Sequence, residues 1–307
     1  MLFDLETHLK QIALTLAFLI AAAALFAQEP PASSSAPPPA PPIPSGPGHA
    51  QWASTYAQAR ELAGPANKLV FVELTQPDCG QCKRMETLLY PAAQFEMMIL
   101  RMVPVRLEVA GPEAAGLSAR YGLNDAPSVL VVTPEGILVF RADGFDDALS
   151  FYTHLHNSLV DWDKLHARLL HEDETRDDPA DQLALGRELL RRFAPEEALP
   201  RLERAARSSR AVPKTRHEAE GLLANVELAL KKFDAARATV NAILVRSTDP
   251  DEREQAELFR AQISLAEGKP EEARRRYERF LKQHPKSRHR EDVRAMLKRL
   301  ATAPESK

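Results

Sequence analysis

Cysteine is nearly absent from this sequence. Its 307 residues contain two, too few for a disulfide scaffold, and both lie in the stretch Cys79-Gly80-Gln81-Cys82, which gives the pair a local task. A second pair of metal ligands is missing too. Although nine histidines are present, none makes a Cys/His pair with zinc spacing, and His154 and His156, two apart on a helical stretch, point away from each other, so no metal site is expected. No charge of one sign dominates. The 40 basic and 43 acidic residues leave a formal net charge of -3, which provides no electrostatic footprint for nucleic acid.

Long hydrophobic runs are scarce too. Ile12 to Ala27 is apolar apart from Thr15, but as a helix at about 1.5 Å per residue it reaches about 24 Å, short of the roughly 30 Å hydrocarbon core. Preceded by Lys10 and followed by Gln28-Glu29-Pro30, residues 1–27 read as a signal peptide. Asp4, Glu6 and Leu25 depart from the usual signal pattern, so the alternative is an uncleaved membrane anchor through residues 12–27. Either reading places the rest of the chain in the periplasm or another exported location, where disulfides form and persist.

What is present divides the chain by composition. Residues 28–50 carry the clusters Pro30-Pro31, Pro37-Pro38-Pro39 and Pro41-Pro42 among serines and alanines, with few apolar side chains to offset ordering entropy, so they read as a Pro-rich linker. Residues 51–160 read as one α/β domain. A helix is expected from Gln51 to Ala63 and a buried strand over Leu69 to Leu74; a helix carrying Cys82, Met85, Leu88 and Leu89 follows, then a strand from Val103 to Val109. Pro112 to Leu123 suggests another helix. The turn Asn124-Asp125-Ala126-Pro127, strands over 128–132 and 137–141, and a helix from Asp146 through Leu159 complete an α/β sandwich. Residues 161–177 read as a connecting helix or linker.

From Asp178 onward strand signals vanish, and a repeat emerges. Gly186, Ala198, Leu202 and Ala205 share their offsets with Ala224, Ala236, Val240 and Ile243, and with Ala261, Ala273, Tyr277 and Phe280. The central alanines lie 38 and 37 residues apart. This pattern over 178–303 resembles tetratricopeptide repeats, in which small residues let two helices approach closely. Gly268-Lys269-Pro270-Glu271-Glu272-Ala273 and the closing Pro285 carry the resemblance best, although the first two repeats lack that proline and none has the family's aromatic in its first helix. Arg274-Arg275-Arg276, near Glu271 and Glu272, reads as salt-bridged surface.

The three-residue separation of Cys79 and Cys82, at the start of a helix, brings their sulfurs within disulfide reach. Unpaired N–H groups and the positive helix pole stabilise a thiolate on Cys79, which is expected to be the exposed nucleophile, with Cys82 more buried and resolving. Asp78 beside it opposes that effect. Residues 51–160 resemble the thioredoxin superfamily, in particular its exported members. The resemblance rests on Glu73 six positions before Cys79, the CGQC motif, Pro127 before a hairpin strand and Gly144 after it. It implies that Glu73 is a buried acid taking the proton of Cys82, and that Pro127 is the cis-proline, with Ala126 binding extended substrate. Asp78, Gln81 and Ala126 depart from the residues usual in that family.

The fold class expected is thus an α/β thioredoxin-like sandwich followed by an all-α, tetratricopeptide-like helical-repeat domain. The implied function is thiol-disulfide exchange on protein disulfides in the cell envelope. It needs no cofactor beyond the redox-active Cys79–Cys82 disulfide, and the repeats would bind a protein partner. The alternative is a scaffold in which the thioredoxin-like domain is structural and the repeats carry the function.

Overall fold

The computed structural model describes residues 52–302 apart from Asn124. The expected signal peptide or anchor, the Pro-rich linker and Gln51 lie outside the described residues. Among the described residues two compact units are present, 52–174 with 188–194, and 175–187 with 195–302.

The first unit begins with Trp52 and an extended Ala53, which forms a parallel bridge to Val105 and donates its N–H to the Pro104 carbonyl at 2.7 Å. Helix α1 spans Tyr56–Ala63 rather than starting at Gln51, because the Thr55 side chain accepts the Gln58 N–H and caps it there. Strand β1 (Leu69–Thr75), α2 (Gly80–Leu88), α3 (Ala93–Ile99) and β2 (Met102–Glu108) follow. Then come α4 (Pro112–Tyr121), β3 (Ser128–Val132), β4 (Leu138–Asp143) and α5 (Ala148–Leu170). The strand order is β2-β1-β3-β4. β1 runs parallel to β2 and antiparallel to β3, and β3 runs antiparallel to β4. This is the expected parallel βαβ half joined to an antiparallel hairpin, in a thioredoxin-like α/β fold.

β1 lies at the centre of the sheet and is buried on both faces, which explains its almost uninterrupted apolar sequence. Val70, Val72 and Leu74 turn to one side and pack in a core with Ala59, Leu117 and Tyr121. Successive residues alternate between faces, so Phe71 and Glu73 share the opposite one. Phe71 there meets Trp52 and Phe95 with ring centroids 6.1 and 5.6 Å apart, which leaves a carboxylate on the same face as an aromatic cluster.

After a short helix α6 (Glu172–Thr175), the second unit is wholly helical. It comprises α7 (Pro179–Arg191), α8 (Pro195–Arg207), α9 (Pro213–Ala229), α10 (Phe233–Arg246), α11 (Pro250–Ala266), α12 (Pro270–Gln283) and α13 (Arg290–Thr302); the last four residues of α7 group with the first unit. Three successive helix pairs therefore carry the repeat positions. Ala198, Leu202, Ala205, Ala224, Ala236, Val240, Ile243, Ala261, Ala273, Tyr277 and Phe280 are all buried. Arg274 pairs with Glu271 at 2.7 Å and Arg276 with Glu272 at 2.6 Å, so these two arginines of the run are salt-bridged. Among the described residues, no helix is long and apolar enough to cross a membrane.

Candidate functional site

Asp78 sets the geometry of the site by turning the chain with a left-handed φ of 59°, a conformation that Asp adopts more readily than most residues. Cys79 then occupies the N-cap of α2, and its Sγ accepts the Cys82 N–H at 3.0 Å. Cys79 and Cys82 are joined as a disulfide with Cα atoms 5.2 Å apart. The expectation of an exposed Cys79 beside a buried Cys82 needs revision for this oxidised state. The two are 7% and 5% exposed.

Three chain segments are tied together around the disulfide. Gln81 Oε1 accepts the Phe145 N–H at 3.1 Å, and the Gly144 N–H donates to the Pro127 carbonyl at 2.7 Å. Gly144 has φ +82°, and a Cβ there would lie 3.2 Å from Gln81 Oε1, so only glycine fits without strain. The Ala126–Pro127 peptide bond is cis; Pro127 is buried and Ala126 partly exposed. Arg84 donates to the Asp146 carbonyl and lies 5.9 Å from the Phe145 ring centroid. It therefore helps hold the loop after β4.

Glu73 has no exposed surface, which excludes a solvent-facing role. Its Oε2 accepts the Arg106 Nε–H at 2.7 Å, and Arg106 reaches Glu86 Oε1 at 3.0 Å. Arg106 faces Glu73 across the β1–β2 register, and Glu86 follows Cys82 by one helical turn, on the same side of α2. The Arg106 guanidinium also lies 5.2 Å from the Trp52 ring centroid and 5.8 Å from that of Tyr90. Among the described residues, no hydrogen bond links Glu73 to either cysteine.

Burial pushes the Glu73 carboxyl above the usual carboxylate range, Arg106 and Tyr90 pull it down less strongly, and the Glu86 charge adds a small upward push. The sequence pattern did not reveal Arg106, Tyr90, Trp52 and Glu86 as parts of the site. Arg106 was the available signal, as a lone charge in the middle of an apolar strand. His154 and His156 are exposed, and no grouping of three or more metal-ligating side chains occurs among the described residues.

Comparison with solved structures gives neighbours that each cover less than half of the chain. No protein-family model and no curated protein sequence matches the chain. Among solved structures, a thioredoxin from Thermus thermophilus is 23% identical, covering 36% of this chain and 88% of its own, with a TM-score of 0.33. A DsbH oxidoreductase is 19% identical over 43% of this chain and 95% of its own, with a TM-score of 0.32. The C-terminal domain of Neisseria meningitidis DsbD, in its oxidised form, is 22% identical over 33% of this chain and 90% of its own, with a TM-score of 0.29.

Proposed function

We propose that this protein exchanges thiols and disulfides with protein clients in the cell envelope through Cys79 and Cys82, and that its helical unit, read as tetratricopeptide-like repeats, binds a protein partner. The observation that carries the reading is the Cys79 sulfur at the N-cap of α2, accepting a backbone N–H at 3.0 Å. A hydrogen bond to the sulfur and the helix pole both favour the thiolate over the thiol, so Cys79 is the leaving and attacking group.

In the reducing direction, the Cys79 thiolate attacks one sulfur of a client disulfide and forms a mixed disulfide. The first client thiolate leaves and takes up a proton. Cys82 then gives its proton to Glu73, and its thiolate attacks Cys79 Sγ, releasing the second client sulfur. Two electrons pass to the client, and Cys79–Cys82 becomes the disulfide, which a dithiol donor reduces again. The reverse sequence oxidises a client dithiol. Ala126 and Pro127, tied to Gly144, would hold the extended client strand beside the sulfur.

The export reading rests on residues 1–27 and on the chemistry of the pair, since a disulfide persists outside a reducing cytoplasm. The test is a trapping experiment. Cys82→Ser, which keeps the attacking sulfur but cannot resolve, should accumulate mixed disulfides on non-reducing gels, and Cys79→Ser should accumulate none. If Cys82→Ser traps no client, the exchange reading fails, and the scaffold reading, in which the repeats carry the function, takes its place.

A further inference from the structure

Glu73 and Tyr90 contain two buried polar atoms that lack a hydrogen-bond partner among the described residues, the Glu73 Oε1 and the Tyr90 hydroxyl. Both residues lie against the same Arg106 guanidinium, which bonds the other Glu73 oxygen and sits over the Tyr90 ring. The ring is boxed in further by Phe95 at 4.8 Å and Trp52 at 5.7 Å between centroids. It cannot swing its hydroxyl elsewhere without breaking those contacts. With Oε2 committed to Arg106, Oε1 is the oxygen left to take a proton.

We propose that the Tyr90 hydroxyl is the positioning group for Oε1, donating a hydrogen bond while Glu73 is ionised and accepting one once Glu73 is protonated. A phenol is both donor and acceptor, so it can serve either state, which an arginine or lysine cannot. The inference rests on the proton-accepting role given to Glu73 above. In the resolving step the proton leaves Cys82 Sγ and settles on Oε1. The Tyr90 O–H then turns so that its oxygen receives the new Oε1–H, and the tyrosine keeps its own proton.

Electrostatics agree with this pairing. Burial and then the Glu73 charge hold the Tyr90 phenol well above its ordinary pKa, so it stays protonated wherever exchange runs. The other groups acting on Glu73 are Arg106 from β2 and Glu86 from α2. A donor to the ionised carboxyl lowers its pKa, so removing that donor raises it.

The test uses the full chain, carbon-13 labelled and held as the disulfide, with the Glu73 carboxyl and Tyr90 phenol carbons followed by NMR across pH. In the unaltered protein both resonances should turn at the same midpoint. In Tyr90→Phe the Glu73 midpoint should rise by about one pH unit, the size of effect that a hydrogen bond to a charged group produces. An unmoved midpoint in Tyr90→Phe overturns the inference, and so does a Tyr90 resonance that stays flat while Glu73 titrates. The second readout needs no variant and decides the matter if Tyr90→Phe does not fold. Because the cysteines stay oxidised throughout, this result is independent of the Cys82→Ser trap, and the two readings can fail separately.

Discussion

At the scale of single residues, one buried carboxyl couples the stability of the sheet unit to pH. Glu73 is held above the usual carboxylate range, chiefly by burial, so the folded chain keeps a proton that the unfolded chain has released. The stability this provides is fully present below the ordinary carboxylate pKa and is lost as pH rises through the raised folded value. Urea unfolding measured from about pH 4 to about pH 7 should therefore show stability falling more steeply in the natural protein than in Glu73→Gln, which cannot ionise. Equal pH slopes would mean that Glu73 titrates normally. Both cysteines were legible in the sequence because their spacing is local and their chemistry is rare, whereas Glu73 was singled out only through the family resemblance that its place before Cys79 carries. Arg106 was not, because its pairing with Glu73 depends on a parallel register between strands separated by two helices. Tyr90 and Trp52 were hidden for the same reason: what they do is set by neighbours distant in the chain.

At the scale of elements, local signals decided what could be read. β1, the hairpin strands and α2 follow period-2 or period-3.6 patterns bounded by Gly, Pro and Asp, and all appear near their expected positions. Helix α3 was missed, being a seven-residue element whose N-cap, Ala92, makes no side-chain capping bond. The small-residue positions of the repeat were legible, and Gly186 shows what they are for. A Cβ there would lie 2.7 Å from Leu202 Cδ2 and 2.8 Å from its Cγ, while Leu202 is fully buried and has little room to give. Gly186→Ala should therefore destabilise the helical unit, by roughly 1–3 kcal/mol as overpacking does. At Gly221, within α9, an added Cβ would meet nothing within 4 Å, so Gly221→Ala should stabilise by about 0.5–1 kcal/mol through helix propensity and the lower entropy of the unfolded chain. Thermal unfolding of the two variants checks the contrast. Shifts of the same sign would show that Gly186 is not a close-packing position.

At the scale of the whole molecule, the sheet unit takes in chain well beyond α5. Composition suggested a connecting stretch over 161–177, but residues 188–194 group with the sheet unit, and their contacts explain why. The Leu138 N–H at the start of β4 donates to the Arg192 carbonyl at 2.9 Å, and the Arg192 guanidinium donates to the Leu138 carbonyl at 3.0 Å. Arg120 reaches the Phe193 carbonyl at 3.0 Å, and the Phe193 ring meets Tyr121 edge-on at 5.7 Å. β4 is the last strand of the sheet, and an uncovered edge leaves backbone groups open to mispairing. Residues 192 and 193 thus cap the start of that edge at Leu138 and extend the core. A fragment ending at residue 174 loses these hydrogen bonds, each contributing about 1 kcal/mol, and an aromatic pair of similar value, so it should be less stable than a fragment ending at residue 194 by about 2–4 kcal/mol. Denaturant midpoints of the two fragments measure the difference. If they coincide, residues 188–194 add nothing to the fold of the sheet unit, and its boundary lies where α5 ends.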